Sequence, residues 1–291
     1  MTHVFSGTHP NVKALYLLTH LVFILWLSHP LYLLTALASL LFIIIAGDGG
    51  RGLLQSGKGI LVLGAVVLVM NPLFSSRGAT ILFYFRDRPV TKESIAYGAV
   101  FALMLITMMV FFQAGRQLFT TDQFLYLTGS FLPRTALMLV MVLRLIPLLK
   151  RRMKEISIVA KSLGLPEDQT RLSRIRTAMG QLNTLLVWTL EESLHTAVAM
   201  RASGYGTGPR SSYHPYTMQN RDWQTLFLVS ILCAGVMMGA WQGMGRMVFY
   251  PRITGMSISV FHLAAYALWC MVPPLIEAME MIRWQTISWN R

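Results

Sequence analysis

Glu191, Glu192 and His195 are the residues whose types and spacing come nearest to catalysis. Two carboxylates and an imidazole one helical turn apart could hold a metal ion or activate a water. A zinc-protease helix needs His-Glu-x-x-His, with two histidines at i and i+4, and no second His lies within ten residues of His195. Intramembrane proteases built on Glu-Glu need an Arg four residues on, and Ala or Thr holds that place here. A solvated helix face is the better reading of this trio. Ser203-Gly204-Tyr205-Gly206 has the look of a potassium filter, but a filter lines a pore between two spanning helices, and this one follows a long charged helix. Gly52-x-x-x-x-Gly57-Lys58 is followed by Gly59, where the nucleotide-binding loop G-x-x-x-x-G-K-[ST] needs the Ser or Thr that holds the metal ion of the nucleotide. The chain is therefore expected not to hydrolyse nucleotide itself. No dinucleotide fingerprint or catalytic triad stands out.

The elements that must position these residues are unusual. Residues 149–222 form a basic, amphipathic segment of 74 residues that holds 11 of the 25 Lys and Arg. It opens with Lys150-Arg151-Arg152-Met153-Lys154 and closes with Ala199-Met200-Arg201-Ala202-Ser203-Gly204-Tyr205-Gly206. On either side lie apolar runs, clearest at 94–112, 129–148, 224–245 and 256–276, each near the roughly 20 residues that cross a bilayer. Shorter runs at 31–46 and 59–74 are flanked by Gly and Pro. The chain is 54% hydrophobic and 13% charged, with a mean hydropathy of +0.54. A soluble domain carries about 25% charged residues, so the chain reads as an integral membrane protein. The net charge of +13 then marks cytoplasmic loops rather than nucleic-acid binding.

These features predict an all-α, polytopic membrane helix bundle with two long cytoplasmic amphipathic helices. Its parts are transmembrane helices over 1–148, a cytoplasmic domain over 149–222 and transmembrane helices over 223–291. Loop charge predicts 75–93 inside, with Arg77, Arg86, Arg88 and Lys92 against Asp87 and Glu93, and 113–128 outside. The stretch 14–46, broken at Ser28-His29-Pro30, fits a helical hairpin or a broken helix. Met1 to Pro10 has no Lys or Arg and no clear cleavage site, so no removed leader is read there. Trp223, Trp241, Trp269, Trp284 and Trp289 fall near span ends, as an interfacial belt would. Cys233 and Cys270 lie in apolar spans as small hydrophobes. No spacing suits a disulfide framework or a metal, and no cofactor is expected.

Within 149–222 two helices are predicted. The first covers 147–163, with Met153, Ile156, Ala160 and Leu163 on one face, then Gly164 and Pro166 as a stop. The second covers 167–202, with Glu167 and Asp168 at its start and a stripe of Leu172, Ile175, Met179, Leu182 and Leu186. Such a pair can offer its polar ends to a partner, or it can simply cover the bundle. Arg144, near the cytoplasmic end of 129–148, either snorkels to the surface or meets a partner subunit.

Several segments occur in one order: His9-Pro10-x-x-Lys13, Asn71-Pro72-Leu73-Phe74 with Gly78, and Thr91-Lys92-Glu93-Ser94-Ile95-Ala96-Tyr97-Gly98. Leu143-Arg144-Leu145-Ile146-Pro147-Leu148-Leu149, Ala160-Lys161-Ser162 and Ala199-Met200-Arg201-Ala202-Ser203-Gly204-Tyr205-Gly206 follow. Over nearly the whole chain this resembles the transmembrane T component of energy-coupling factor (ECF) transporters, the CbiQ/EcfT family. The resemblance implies a non-catalytic scaffold in a bacterial or archaeal plasma membrane. Its partners are two ABC-type ATPase subunits, a membrane S component that binds the substrate, and the lipid bilayer. The two long helices become coupling helices, each ending in a short Ala-Arg-Gly or Ala-Arg-Ser-like motif that enters a groove on an ATPase. Carried over, those motifs are Ala160, Lys161 and Ser162, and Arg201, Ala202, Ser203 and Gly204.

The chain departs from that pattern twice. Lys161 stands where the family has Arg, which keeps the charge and loses the bidentate fork. At the second motif the family Arg falls on Ser203, and Arg201 lies about 200° away around a helix. The seven His are scattered, which favours a vitamin or precursor as cargo over a metal ion. Two other classes are weighed against the scaffold. An intramembrane hydrolase would need Glu191, Glu192 and His195 at membrane depth. A stand-alone secondary carrier would show mid-span polar residues or internal repeats.

Overall fold

The structure, a computed structural model, describes residues 8–75, 78–85, 88–162, 171–208, 216–255 and 258–289. In chain order the elements are α1 (Pro10–Trp26), α2 (Pro30–Asp48), α3 (Arg51–Phe74), β1 (Ile81–Phe85), β2 (Arg88–Thr91), α4 (Lys92–Leu118), α5 (Thr121–Phe131), α6 (Pro133–Ser162), α7 (Arg171–Ala202), α8 (Asn220–Trp241) and α9 (Val260–Trp289). The fold is the helical bundle that the pattern predicts, with one short β-hairpin added. Two compact units divide the chain. One is Met1–Phe124 with Tyr216–Arg291, and the other is Leu125–Pro215.

In the first unit α1 and α2 start in the same way. His9 and His29 each precede a proline, whose fixed φ suits the first helical position. Each imidazole Nδ1 accepts the backbone N–H two residues on, from Asn11 at 3.2 Å and from Leu31 at 3.3 Å. Leu27-Ser28-His29 joins the two helices as a hairpin. Tyr16, before the turn, and Ser39, after it, both donate to the carbonyl of Cys270 in α9, at 3.3 and 2.6 Å. The chain must therefore double back. The hairpin is splayed, and α9 fills it with aromatic rings. Tyr266 meets Phe23 edge-on and also touches Tyr32. Trp269 stacks on Tyr16 at 4.9 Å and meets Phe23 edge-on at 4.9 Å. Such pairs contribute roughly 0.5–1.5 kcal/mol each beyond area burial. Trp269 is fully buried here, so it belongs to the core and not to the interfacial belt. Trp223 and Trp241, at the two ends of α8, are exposed as the belt requires.

The β-hairpin was not legible as strand in the loop 75–93, and polar bonds seat it. Thr91 caps α4 by accepting the Ser94 N–H at 3.2 Å. The Glu93 carboxylate accepts from the Thr80 N–H and, at 2.8 Å, from the Thr80 hydroxyl. Ser94 Oγ donates to the Ser75 carbonyl at 2.9 Å. Gly78 has a φ of +143°, and a Cβ there would stand 2.6 Å from Thr91 Oγ1 and 2.7 Å from a Glu93 oxygen. Nearby, a Cβ on Gly98 of α4 would meet the Asn71 Cβ of α3 at 3.2 Å. The motif residues Asn71, Gly78, Thr91, Glu93 and Gly98 thus build one joint.

Among the described residues four helices are long and apolar enough to span: Pro30–Gly47, Ser56–Phe74, Lys92–Leu118 and Asn220–Trp241. Together they make this a multi-pass membrane protein. One expected span differs. Run 129–148 is shared between α5 and α6, and the first 18 residues of α6 already contain Arg134, Arg144 and Lys150. The run 256–276 falls in α9, whose described apolar part is Val260–Leu275. The helix expected from 147 is the second half of α6, which continues through Pro147. Residue 149, where the central domain was expected to begin, therefore lies inside a helix.

Contacts between its helices define the two ends of the first unit. The α1 turn is bound to the α8–α9 connection, where His29 N–H donates to the Gly245 carbonyl at 3.1 Å. The base of the hairpin meets the same connection, at Tyr97–Phe249 and Tyr97–Tyr250. The start of α1 meets the opposite end. Lys13 Nζ donates to Gln123 Oε1 at 3.3 Å, and the His9 N–H donates to Asp222 Oδ1 at 3.1 Å. Residues 118–124 and 216–222 are therefore on one side of this unit, and 75–93 is on the other.

The leader expectation for 1–7 lies outside the described residues. So do the stop signals at Leu163, Gly164 and Pro166, the start signals at Glu167 and Asp168, and Arg77, Arg86 and Asp87.

Candidate docking surface of the α6–α7 pair

Inside the second unit α6 and α7 run antiparallel. Leu145 and Leu148 share a cleft of about 220 Å³ with Thr196, Ala197 and Met200. Further along, the Arg152 guanidinium lies 5.3 Å from the ring centre of Trp188 and pairs with Glu155 at 2.8 Å. Beyond that, Ile156 and Ala160 share a cleft of about 510 Å³ with Thr177, Gly180 and Thr184. Rising numbers on α6 meet falling numbers on α7.

The face of α7 toward α6 is half-buried and largely polar: Thr177, Gln181, Leu185, Trp188, Glu192, Thr196 and Met200. The predicted apolar stripe lies on the other side. Leu172, Ile175, Met179, Leu182 and Leu186 are exposed, and the stripe continues through Leu190, Leu194 and Val198. Leu186, Leu190, Leu194 and Val198 are 63–68% exposed. The i, i+4 spacing from Leu186 to Val198 was the available signal for this extension.

The two expected docking motifs sit at opposite ends of the pair. Ala160 is half-buried against α7, while Lys161 and Ser162 are exposed at the end of α6. From Thr177, level with Ala160, to Ala202 is 25 residues of helix, roughly 37 Å at 1.5 Å per residue. At that far end the helix stops by a glycine cap. Gly204 has a φ of +75°. The Tyr205 N–H donates to the Met200 carbonyl at 3.0 Å, and the Gly204 N–H donates to that of Arg201 at 3.1 Å. Helical geometry thus holds through Ala202, and Arg201 keeps its own face, the one with Leu190 and Leu194. Ser203 turns its hydroxyl back onto the Ala199 carbonyl at 2.8 Å. Ser203-Gly204-Tyr205-Gly206 is a helix stop and does not have the form of a pore.

Arg144 is exposed on α6 and lines a cleft of about 520 Å³ with Glu192, His195, Thr196, Ser203 and Tyr205. Glu191 and His195 approach to 3.8 Å on the open surface, with side chains 68% and 75% exposed. Glu192 turns toward α6 instead, so the trio does not converge. Among the described residues no group of three or more His, Cys, Asp or Glu is placed to hold a metal ion.

A cobalt transport protein family, CbiQ, matches residues 3–215. The chain belongs to the CbiQ family. Members are membrane components of ABC-type cobalt transport systems, which work with ATPase partners. The match stops before α8 and α9, so the family pattern covers less than the nearly whole chain expected. It includes Ala160-Lys161-Ser162, Arg201 to Gly204 and all of the α6–α7 pair. No curated protein matches the chain closely enough to count as a relative. Lys13, Gln123 and Asp222, a buried polar knot around the CbiQ motif His9-Pro10-x-x-Lys13, were missed as a set. Their partners lie 110 and 213 residues apart in sequence.

Proposed function

We propose that this chain is the transmembrane T subunit of an energy-coupling factor importer, a scaffold with no chemistry of its own. Two ABC-type ATPase subunits dock on the ends of the helix pair. One takes Ala160-Lys161-Ser162, and the other takes Arg201-Ala202-Ser203-Gly204 with Arg144 alongside. A membrane S component packs on the outer face of α7. Closure of the ATPases on ATP moves the two ends of the pair, and the apolar stripe passes that motion to the S component.

The observation that carries this reading is the open stripe Leu186, Leu190, Leu194 and Val198. A 32-residue helix with one face on its neighbour and an apolar face left open is suited to receive another apolar surface. The 11 Lys and Arg of 149–222 support a cytoplasmic placement, in a bacterial or archaeal plasma membrane. Cargo selection belongs to the S component. It is a vitamin or precursor, or the cobalt ion for which the family is described.

Purifying the tagged chain from its native membrane in mild detergent tests the proposal. Two ABC ATPases and a small hydrophobic protein should come with it. Loss of the ATPases in Lys161→Glu or Arg201→Glu would map the docking points. Recovery of the chain alone, under conditions that keep known membrane complexes whole, would overturn the scaffold.

A further inference from the structure

The β-hairpin has an apolar strand whose described side chains stand open. Ile81, Leu82, Phe83 and Tyr84 are 50–69% exposed in a row. Strand pleating turns successive side chains to opposite faces, so Phe83 and Tyr84 present apolar surface on both sides. Only β2 packs inward, through Val90 and Thr91. A two-stranded hairpin is marginal in water even with one polar face, and here β1 offers none. Its base is nonetheless held by Thr80, Thr91 and Glu93, which fixes where the strand lies.

We propose that β1 is an anchor lying in the bilayer interface, on the side of the first unit opposite residues 118–124 and 216–222. The occupant is lipid, for two reasons. The hairpin springs from the end of α3, a span whose apolar face is open along Leu61, Val62, Val66 and Val69 and ends at the exposed Phe74. β1 begins seven residues after Phe74 and brings a second run of exposed apolar side chains to that end. At the same end, the exposed Lys92 and Arg246 supply cations at the level where anionic headgroups begin. The strand dips its aromatic and aliphatic side chains below the headgroups and limits tilt of α3 and α4, which it joins. This goes beyond the scaffold reading and rests only on the chain's spanning the membrane.

Nitroxide labels test it. Single cysteines replace Phe83 or Tyr84 in the full chain carrying Cys233→Ser, Cys270 being buried. The chain is reconstituted in nanodiscs of phosphatidylethanolamine and phosphatidylglycerol. Labels at Leu61→Cys and Arg252→Cys calibrate lipid and water. Both hairpin labels should favour collision with oxygen over a water-soluble nickel chelate by about tenfold relative to the Arg252 label, as lipid exposure demands. Nickel contact equal to that at Arg252 would overturn the anchor by placing β1 in water. Loss of both collisions would overturn it too, by showing that a protein surface or a second copy covers the strand. Two labels on opposite faces keep the result from resting on one side chain.

Discussion

The two units invert each other. In the first, polar residues are buried and bonded: His9 to Asn11, Lys13 to Gln123, Asp222 to His9 and Gln219, Glu93 to Thr80. In the second, apolar residues stand exposed along 32 residues of helix. Burying a charge without partners is costly, so the first unit must hold its polar knots whole to fold. An open apolar stripe costs little in folding and asks for a partner. Sequence motifs in the first unit therefore report on construction, and those in the second report on docking.

The largest effect expected from breaking this contrast is at the stripe. Leu190→Asp with Leu194→Asp puts two charges on the proposed S-component face. Two central apolar anchors are worth roughly 4 kcal/mol together, near a thousandfold in affinity. Co-purification of the S component should vanish, while ATPase recovery and helix content by circular dichroism stay unchanged. Parallel loss of ATPases and helix would show instead that the stripe is internal structure.

Asp222→Ala is the matching change in the first unit. Asp222 accepts the His9 N–H at 3.1 Å and the Gln219 N–H at 3.0 Å, closing a capping box at the start of α8. Its removal takes the acceptor from the buried His9 N–H and uncaps α8, and costs about 2–3 kcal/mol. The expected outcome is a lower thermal midpoint in detergent, with partner recovery per folded chain unaltered. A normal midpoint with lost partners would move Asp222 into the docking class.

How much of this was legible follows the same divide. Helix periodicity and Pro or Gly punctuation located α4, α7 and α8 closely, because those signals are local. Ala160-Lys161-Ser162 and Arg201 to Gly204 are candidate sites through the resemblance to the family, which short local motifs carry. The knot of Lys13, Gln123 and Asp222 was not, since no local pattern joins residues so far apart. The hairpin was missed because loop charge was read before the β-prone run Ile81 to Phe85. The stripe of α7 was seen, but whether it faced α6 or away depended on Trp188 and Thr196, half-buried on the polar side. Span 129–148 failed on two arginines that mean hydropathy dilutes.

Within the second unit the two docking ends differ, and charge reversal ranks them. Lys161→Glu swaps a cation for an anion at the end of α6. On the proposed reading it weakens ATPase retention by on the order of tenfold, about 1.4 kcal/mol. Arg144→Glu should act at the other end, in the cleft it shares with Ser203 and Tyr205. Equal retention of both ATPases in each variant would detach these residues from docking.

The smallest expected effect is a gain. Ser203, where the resemblance places the family arginine, is exposed and spends its hydroxyl on the Ala199 carbonyl of its own helix. That bond helps no partner, and the glycine cap at Gly204 does not depend on it, because the cap uses backbone groups of Met200 and Arg201. An arginine therefore fits at 203 without strain and points along the face toward Arg144, where Arg201 cannot reach. If an acidic ATPase groove meets this end, Ser203→Arg should raise ATPase retention by about threefold, since one exposed ion pair contributes up to roughly 1 kcal/mol. Rising salt should erase the gain. A loss of retention would indicate that the matching groove has given up its carboxylate, and that the chain and its ATPase changed together.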